Sequence, residues 1–167
     1  MLHASRSKAA HRFFSSFMDF LGTVVSAVKV ARQVKKYFDQ IQGVDNRVQD
    51  IILEVDSLDG VLDSISKCSN DSSIFGLRTG FEEHRQHMAQ VIETCKNALE
   101  RLRVIGETIW VNTSNNPFLR RTKMKVELDN KSDDINLWRE RLAHSRQTLQ
   151  LSLQVMTVYV SHAATSH

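Results

Sequence analysis

The feature that most constrains this chain is a run of apolar residues spaced alternately by four and three. Val44, Val48, Ile51, Val55, Leu58, Leu62 and Ile65 follow one another at that interval. On an α-helix this spacing puts every member on one stripe, the mark of a helix packed against others in a bundle or coiled coil. The segment therefore reads as a helix over 44–67, with Val48, Ile51, Val55, Leu58 and Leu62 as its packing seam or an oligomer seam. Its other faces carry Asp45, Asp50, Glu54, Asp56, Asp59 and Asp63.

Helical spacing recurs along the chain. A first helix is predicted over 15–40, with Phe17, Leu21, Val24, Val28, Ala31, Phe38 and Ile41 on its stripe and Gly43 as its C-cap. Residues 69–80 (SNDSSIFGLRTG) read as a polar loop. A third helix over 81–105 uses Phe81, Met88, Ile92, Cys95, Leu99 and Leu102, and Gly106 is predicted to end or weaken it. TSNNP at 113–117 is a second break, with Pro117 suited to a first helical position. A short basic helix follows over 117–129 and is interrupted at 130–132. Ser132 then caps a last helix over 133–160, with Asp133 and Asp134 in its first turn and Ile135, Trp138, Leu142, Leu149, Leu153, Met156 and Val160 on its stripe. The predicted fold is all-α: an up-down bundle of four long helices with a short basic helix before the last. One Pro and six Gly in 167 residues argue against a β-sandwich or barrel, and 41% hydrophobic with 25% charged residues fits one globular domain rather than a disordered chain.

Charge is distributed unevenly. Residues 1–43 hold seven Lys/Arg against two Asp/Glu, and residues 44–76 hold two against seven. Complementary neighbouring helices are the expectation. Residues 1–17 are basic and free of acid, and read as a disordered extension, with a mitochondrial presequence as the minor alternative. The domain is placed at 18–162 and a tail at 163–167. No stretch is a good constitutive membrane span: 13–31 comes nearest and contains Asp19 and Lys29. The near-apolar start of the first helix makes Phe17, Phe20, Leu21, Val24, Val25 and Val28 candidate membrane-facing residues. Lys29, Arg32, Lys35 and Lys36 behind them, and Arg120, Arg121, Lys123 and Lys125 in the short helix, are candidate contacts to an anionic surface. No aromatics interleave the basic run at 120–125, which argues against nucleic acid.

No catalytic set emerges. P-loop, HExxH and GxSxG patterns are absent, and His84 and His87 beside Glu82 and Glu83 read as surface residues rather than metal ligands. Cys68 and Cys95 are too few for a disulfide framework, which points to a reducing compartment. The expectation is a non-enzymatic protein that needs no cofactor, metal or small-molecule substrate.

Three segments resemble a known family. MDFLGTVVSAVKVARQVKKYFDQI from Met18, VIETCKNALERLRVI in the third helix and DDINLWRERLAHSRQTLQLSLQVMTVYV at the end are similar to fungal N-terminal, HeLo-like domains of STAND or NOD-like receptor proteins. In the closing run Ser145 stands where that family would have a histidine, and His144 is one residue out of step. The resemblance implies a four-helix effector domain that precedes a nucleotide-binding module, and that in some members drives regulated cell death by exposing its first helix to membrane. The expected function is thus a cytoplasmic signalling or effector bundle, peripheral to membrane on activation. The alternative is a soluble, self-associating or adaptor module without membrane activity.

Overall fold

A computed structural model of the chain describes residues 2–41, 43–69, 80–113 and 119–165. The described residues are almost wholly helical: α1 (Leu2–Gln40), α2 (Asn46–Ser69), α3 (Gly80–Thr113), α4 (Arg120–Asn130) and α5 (Ser132–Thr165). Of the expected loop at 69–80, Ser69 and Gly80 belong to α2 and α3, and of the expected break at 113–117 Thr113 belongs to α3; the rest of both lies outside the described residues. So do the side chains of Phe81 and Val160.

The helices form a bundle around one apolar core that includes Phe38, Ile41, Ile51, Leu58, Leu62, Met88, Leu99, Leu102, Ile109 and Leu142, all fully buried. α1 packs on α3 and α2, and α5 packs on the same two. The helices therefore stand around the core in the order α1, α3, α5, α2, and α2 and α3 sit at opposite corners. Cross-helix pairs fix the directions. Phe17 meets Arg85 and Phe38 meets the Gly106 backbone, so numbers rise together and α1 runs parallel to α3. Arg139 pairs with Asp50 and Arg146 with Glu54, so α5 runs parallel to α2. His84 bonds to Ser152 and Arg101 stacks on Trp138, so α3 and α5 are antiparallel. Direction alternates along α1, α2, α3 and α5. Spatial order does not follow chain order, because Ser69 and Gly80 belong to helices across the diagonal.

The turn between α1 and α2 is built from local chemistry. Gly43 takes φ +81°, a left-handed conformation that is cheap for glycine and ends α1 as its C-cap position predicts. Asp45 then accepts the backbone N–H of Arg47 at 2.8 Å and caps α2, a role its reading as a solvated face residue missed. α4 closes this end of the bundle. Met124 and Leu128 enter the core, Arg121 donates to the Gly43 carbonyl at 2.7 Å, and Arg47 reaches Asp129 at 2.5 Å.

Several predicted boundaries move. α1 begins at Leu2, well before the apolar stripe and the predicted start at 15. α2 starts at Asn46, and α4 at Arg120. The expected gap at 130–132 shrinks to Lys131, and Ser132 is the first residue of α5 rather than its cap. α5 runs on to Thr165, into the expected tail. The largest correction concerns Gly106, predicted to end or weaken the third helix. α3 runs through it to Thr113, and the residue is buried against α1. A Cβ there would lie 2.9 Å from Phe38 Cε2 and 3.1 Å from Tyr37 Cβ. This glycine is a packing residue, and its missing side chain lets α1 and α3 approach.

Two glycine replacements should therefore act in opposite directions. Gly106→Ala gains about 1 kcal/mol of helix propensity but forces the fully buried Phe38 to move, a cost of about 1–3 kcal/mol, so the midpoint of urea unfolding falls. Gly60→Ala, where a Cβ meets nothing within 4 Å in exposed α2, raises it by up to about 1 kcal/mol.

Candidate functional site

The first helix divides its apolar residues between two faces. Phe17, Phe20 and Val24 are buried, Leu21 and Val28 are half-buried against the core, and only Val25 of the six candidate membrane-facing residues is exposed, at 65%. Val25 shares the outward face with Met18, two turns before it, and with Lys29, Arg32 and Lys36, which follow at intervals of four and three. Among the described residues no carboxylate pairs with Lys29, Arg32 or Lys36. Lys35 points elsewhere and donates to Asp56 of α2 at 2.6 Å, a hydrogen bond that raises its pKa.

The basic run of α4 is split in the same way. Arg120 lies 3.8 Å from the centroid of Trp110 and staples α4 to α3, while Arg121 is bound to the Gly43 carbonyl. Lys123 and Lys125 face solvent. Of the eight candidate contacts to an anionic surface, Lys35, Arg120 and Arg121 thus hold the fold together, and five point outward. The seam residues Val48, Ile51, Val55, Leu58 and Leu62 are all in the core, where they pack against the other helices of the same chain.

Sequence reasoning missed a second apolar face on α5. Leu149 and Met156 are buried as predicted, but Leu151, Val155, Val158 and Tyr159 are exposed by 42–64% on the outer side. From 147 to 161 α5 carries no ionisable group other than the Tyr159 phenol, so this face has no salt or carboxylate to keep it hydrated. Beside it a groove of about 630 Å³ runs between α2 and α5, lined by Ser57, Gly60, Ser64, Gln150, Leu151 and Gln154. The signal was present in the sequence: LQLSLQVMTVYV is apolar at more positions than one stripe needs.

Charged side chains at the helix seams are mostly committed. Glu54 and Arg146 pair at 2.5 Å with both side chains 17% exposed, and Arg85, fully buried, pairs with Glu82 of its own helix. His84 is half-buried rather than on the surface, and its Nε2–H donates to the Ser152 carbonyl at 3.0 Å. Cys95 is buried beside Ser145, and burial pushes its thiol up to about 12, so it is inert as a nucleophile at neutral pH. Among the described residues no group of three or more His, Cys, Asp or Glu converges to hold a metal ion. No described helix is long and apolar enough to cross a membrane. The surfaces the molecule presents are therefore helix faces and shallow grooves between helices.

Neither protein-family models, nor curated proteins, nor solved structures match the chain.

The Asp45–Arg47 contact makes stability pH-dependent. Hydrogen bonds from the Arg47 side chain and backbone lower the Asp45 carboxyl from 3.8 to about 2. A carboxyl depressed by folding stabilises above its unfolded pKa and loses that contribution as pH falls through the folded one. Between pH 4 and pH 2, stability by urea unfolding should fall more steeply in the wild type than in Asp45→Asn. Equal slopes would remove Asp45 from the account.

Proposed function

We propose that the chain is a non-enzymatic signalling or effector bundle of the HeLo-like type its sequence resembles. On this reading it is an up-and-down bundle of four long helices with the short basic α4 inserted before the last, and it acts by docking rather than by chemistry. The observation that carries the proposal is the contrast between α1 and α5. The apolar face of α1 lies in the core, whereas the uncharged face of α5 at Leu151, Val155, Val158 and Tyr159 has no cover among the described residues. A helix face of this kind is what helix-to-helix recognition uses, and the occupant proposed is a second copy of the chain.

The membrane reading survives in altered form. Its support is the outward face of α1, where Val25 stands in line with Lys29, Arg32 and Lys36. That arrangement suits an anionic interface without unfolding the bundle, whereas insertion of the whole first helix would require Phe17, Phe20 and Val24 to leave the core.

Sedimentation equilibrium separates the two. Self-association that rises with concentration, and is abolished by Val155→Glu with Val158→Glu, is the expected result. A monomer at every concentration overturns self-association through α5. Co-sedimentation with phosphatidylserine vesicles, lost in Lys29→Glu with Arg32→Glu and Lys36→Glu, would then move the function to the α1 face.

A further inference from the structure

A third surface differs from both of these. On the side of the bundle where α3 meets α5, Trp138 is half-buried and two arginines converge on it. Arg101 Cζ lies 5.8 Å from its ring centroid and Arg141 Cζ 4.7 Å. Together with Asn97 and Thr94 they line a groove of about 550 Å³.

The groove brings together two guanidiniums without a carboxylate partner, a state that Arg32, Arg120 and Arg121 share elsewhere on the described surface. Arg47, Arg85, Arg103, Arg139 and Arg146 each have a carboxylate partner. Among the described residues Arg101 and Arg141 have none. The acid in the groove lining, Glu100, is held by Arg103 at 2.8 Å. Both guanidiniums lie beside one indole and are exposed, so water and salt screen their mutual repulsion, and an anion that reached both would be attracted by two charges at once. The indole also fixes the two planar groups in advance through cation–π contact, which removes part of the ordering cost of binding. Each guanidinium retains a fork of N–H donors matched to two oxygens of a tetrahedral oxyanion. The Asn97 amide adds a neutral donor. The Thr94 hydroxyl adds none, since it donates to the Gln90 carbonyl at 3.0 Å.

We propose that the Arg101–Trp138–Arg141 groove binds a phosphate-type oxyanion carrying at least two negative charges. This is a phosphomonoester or polyphosphate, presented either free or as a lipid headgroup. A single carboxylate leaves one cation uncompensated, and the three-dimensional array of phosphate oxygens suits two forks better than one flat carboxylate. The site does not depend on the docking role proposed for α5 or on the outward face of α1, since it uses neither.

The test titrates the full chain with tripolyphosphate and follows the ³¹P linewidth. The wild type should give a saturable response. Arg101→Gln with Arg141→Gln should weaken it by about tenfold or more, the loss expected for charge-assisted hydrogen bonds. Lys123→Gln with Lys125→Gln removes the same charge from α4 and should change binding by less than about twofold. Circular dichroism melts check that both variants remain folded, which is expected because all four side chains are exposed. No saturable response in the wild type overturns the proposal, and so does equal weakening in the two variants, which would mean attraction by net charge alone. A second arm uses phosphatidylcholine vesicles with and without phosphatidylinositol 4-phosphate. Recruitment by the phosphoinositide that is lost in the double arginine variant identifies a headgroup. Tripolyphosphate binding without recruitment identifies a soluble ligand.

Discussion

The arrangement of this bundle turns on the contact between Phe38 of α1 and Gly106 of α3. There the two helices run side by side in the same direction, and the ring of Phe38 fills the space a side chain at 106 would occupy. Parallel neighbours that are not consecutive in the chain force the intervening helix elsewhere. α2 therefore lies on the far side of α1, and α5 fills the remaining corner against both α2 and α3. The aligned dipoles of a parallel pair are mildly unfavourable, by a few tenths of a kcal/mol to about 1 kcal/mol at the helix ends. Burying one large apolar side chain is worth about 1.5–3 kcal/mol, so packing outweighs this easily.

The charge pattern follows from the same topology. A basic first segment and an acidic second one read as complementary neighbours, and Lys35–Asp56 at 2.6 Å is such a contact. Two other acids of α2 serve a different partner. Asp50 and Glu54 meet Arg139 and Arg146 of α5, which runs parallel to it. The exposed members of this set contribute at most about 1 kcal/mol each. The Glu54–Arg146 pair is mostly buried, and its effect is to fix the register of α5 on α2, because slipping either helix by a turn would leave two charges out of water without partners. The imbalance of +5 and −5 was visible in the sequence. Which helix met which was not, because net charge carries no topology.

The same distinction separates what was legible from what was not. The four-and-three spacing from Val44 to Ile65 marked a helix with a buried face, and that face is in the core. Gly43 marked the end of α1, because a glycine just past the last member of an apolar stripe has a local meaning as a C-cap. Gly106 has no such local signal. A glycine that stops a helix and one that admits a neighbouring ring look identical in one dimension, and only the presence of Phe38 decides between them. Trp138 was read as a stripe residue, and its two arginines, one three residues on and one from another helix, gave no pattern to find. Periodicity shows that a face is apolar. It does not show what covers that face, which is why Phe17, Phe20 and Val24 could be read as facing a membrane.

That last point bears on how such a bundle can act. Removing α1 from the bundle would expose Phe17, Phe20, Val24, Val30, Val34 and Phe38, all buried. At roughly 1.5–3 kcal/mol for each large apolar side chain, the cost is comparable to the entire stability of a domain, about 5–15 kcal/mol. Release of the first helix is therefore close to global unfolding, and no local opening delivers it. A partner or surface that drove it would have to bind the exposed helix more tightly than the bundle does by nearly that amount. Surfaces already outside the core face no such barrier. The uncovered side of α5, the outward basic face of α1 and the arginine groove at Trp138 are all available in the folded state, and a function carried by any of them leaves the Phe38–Gly106 contact intact.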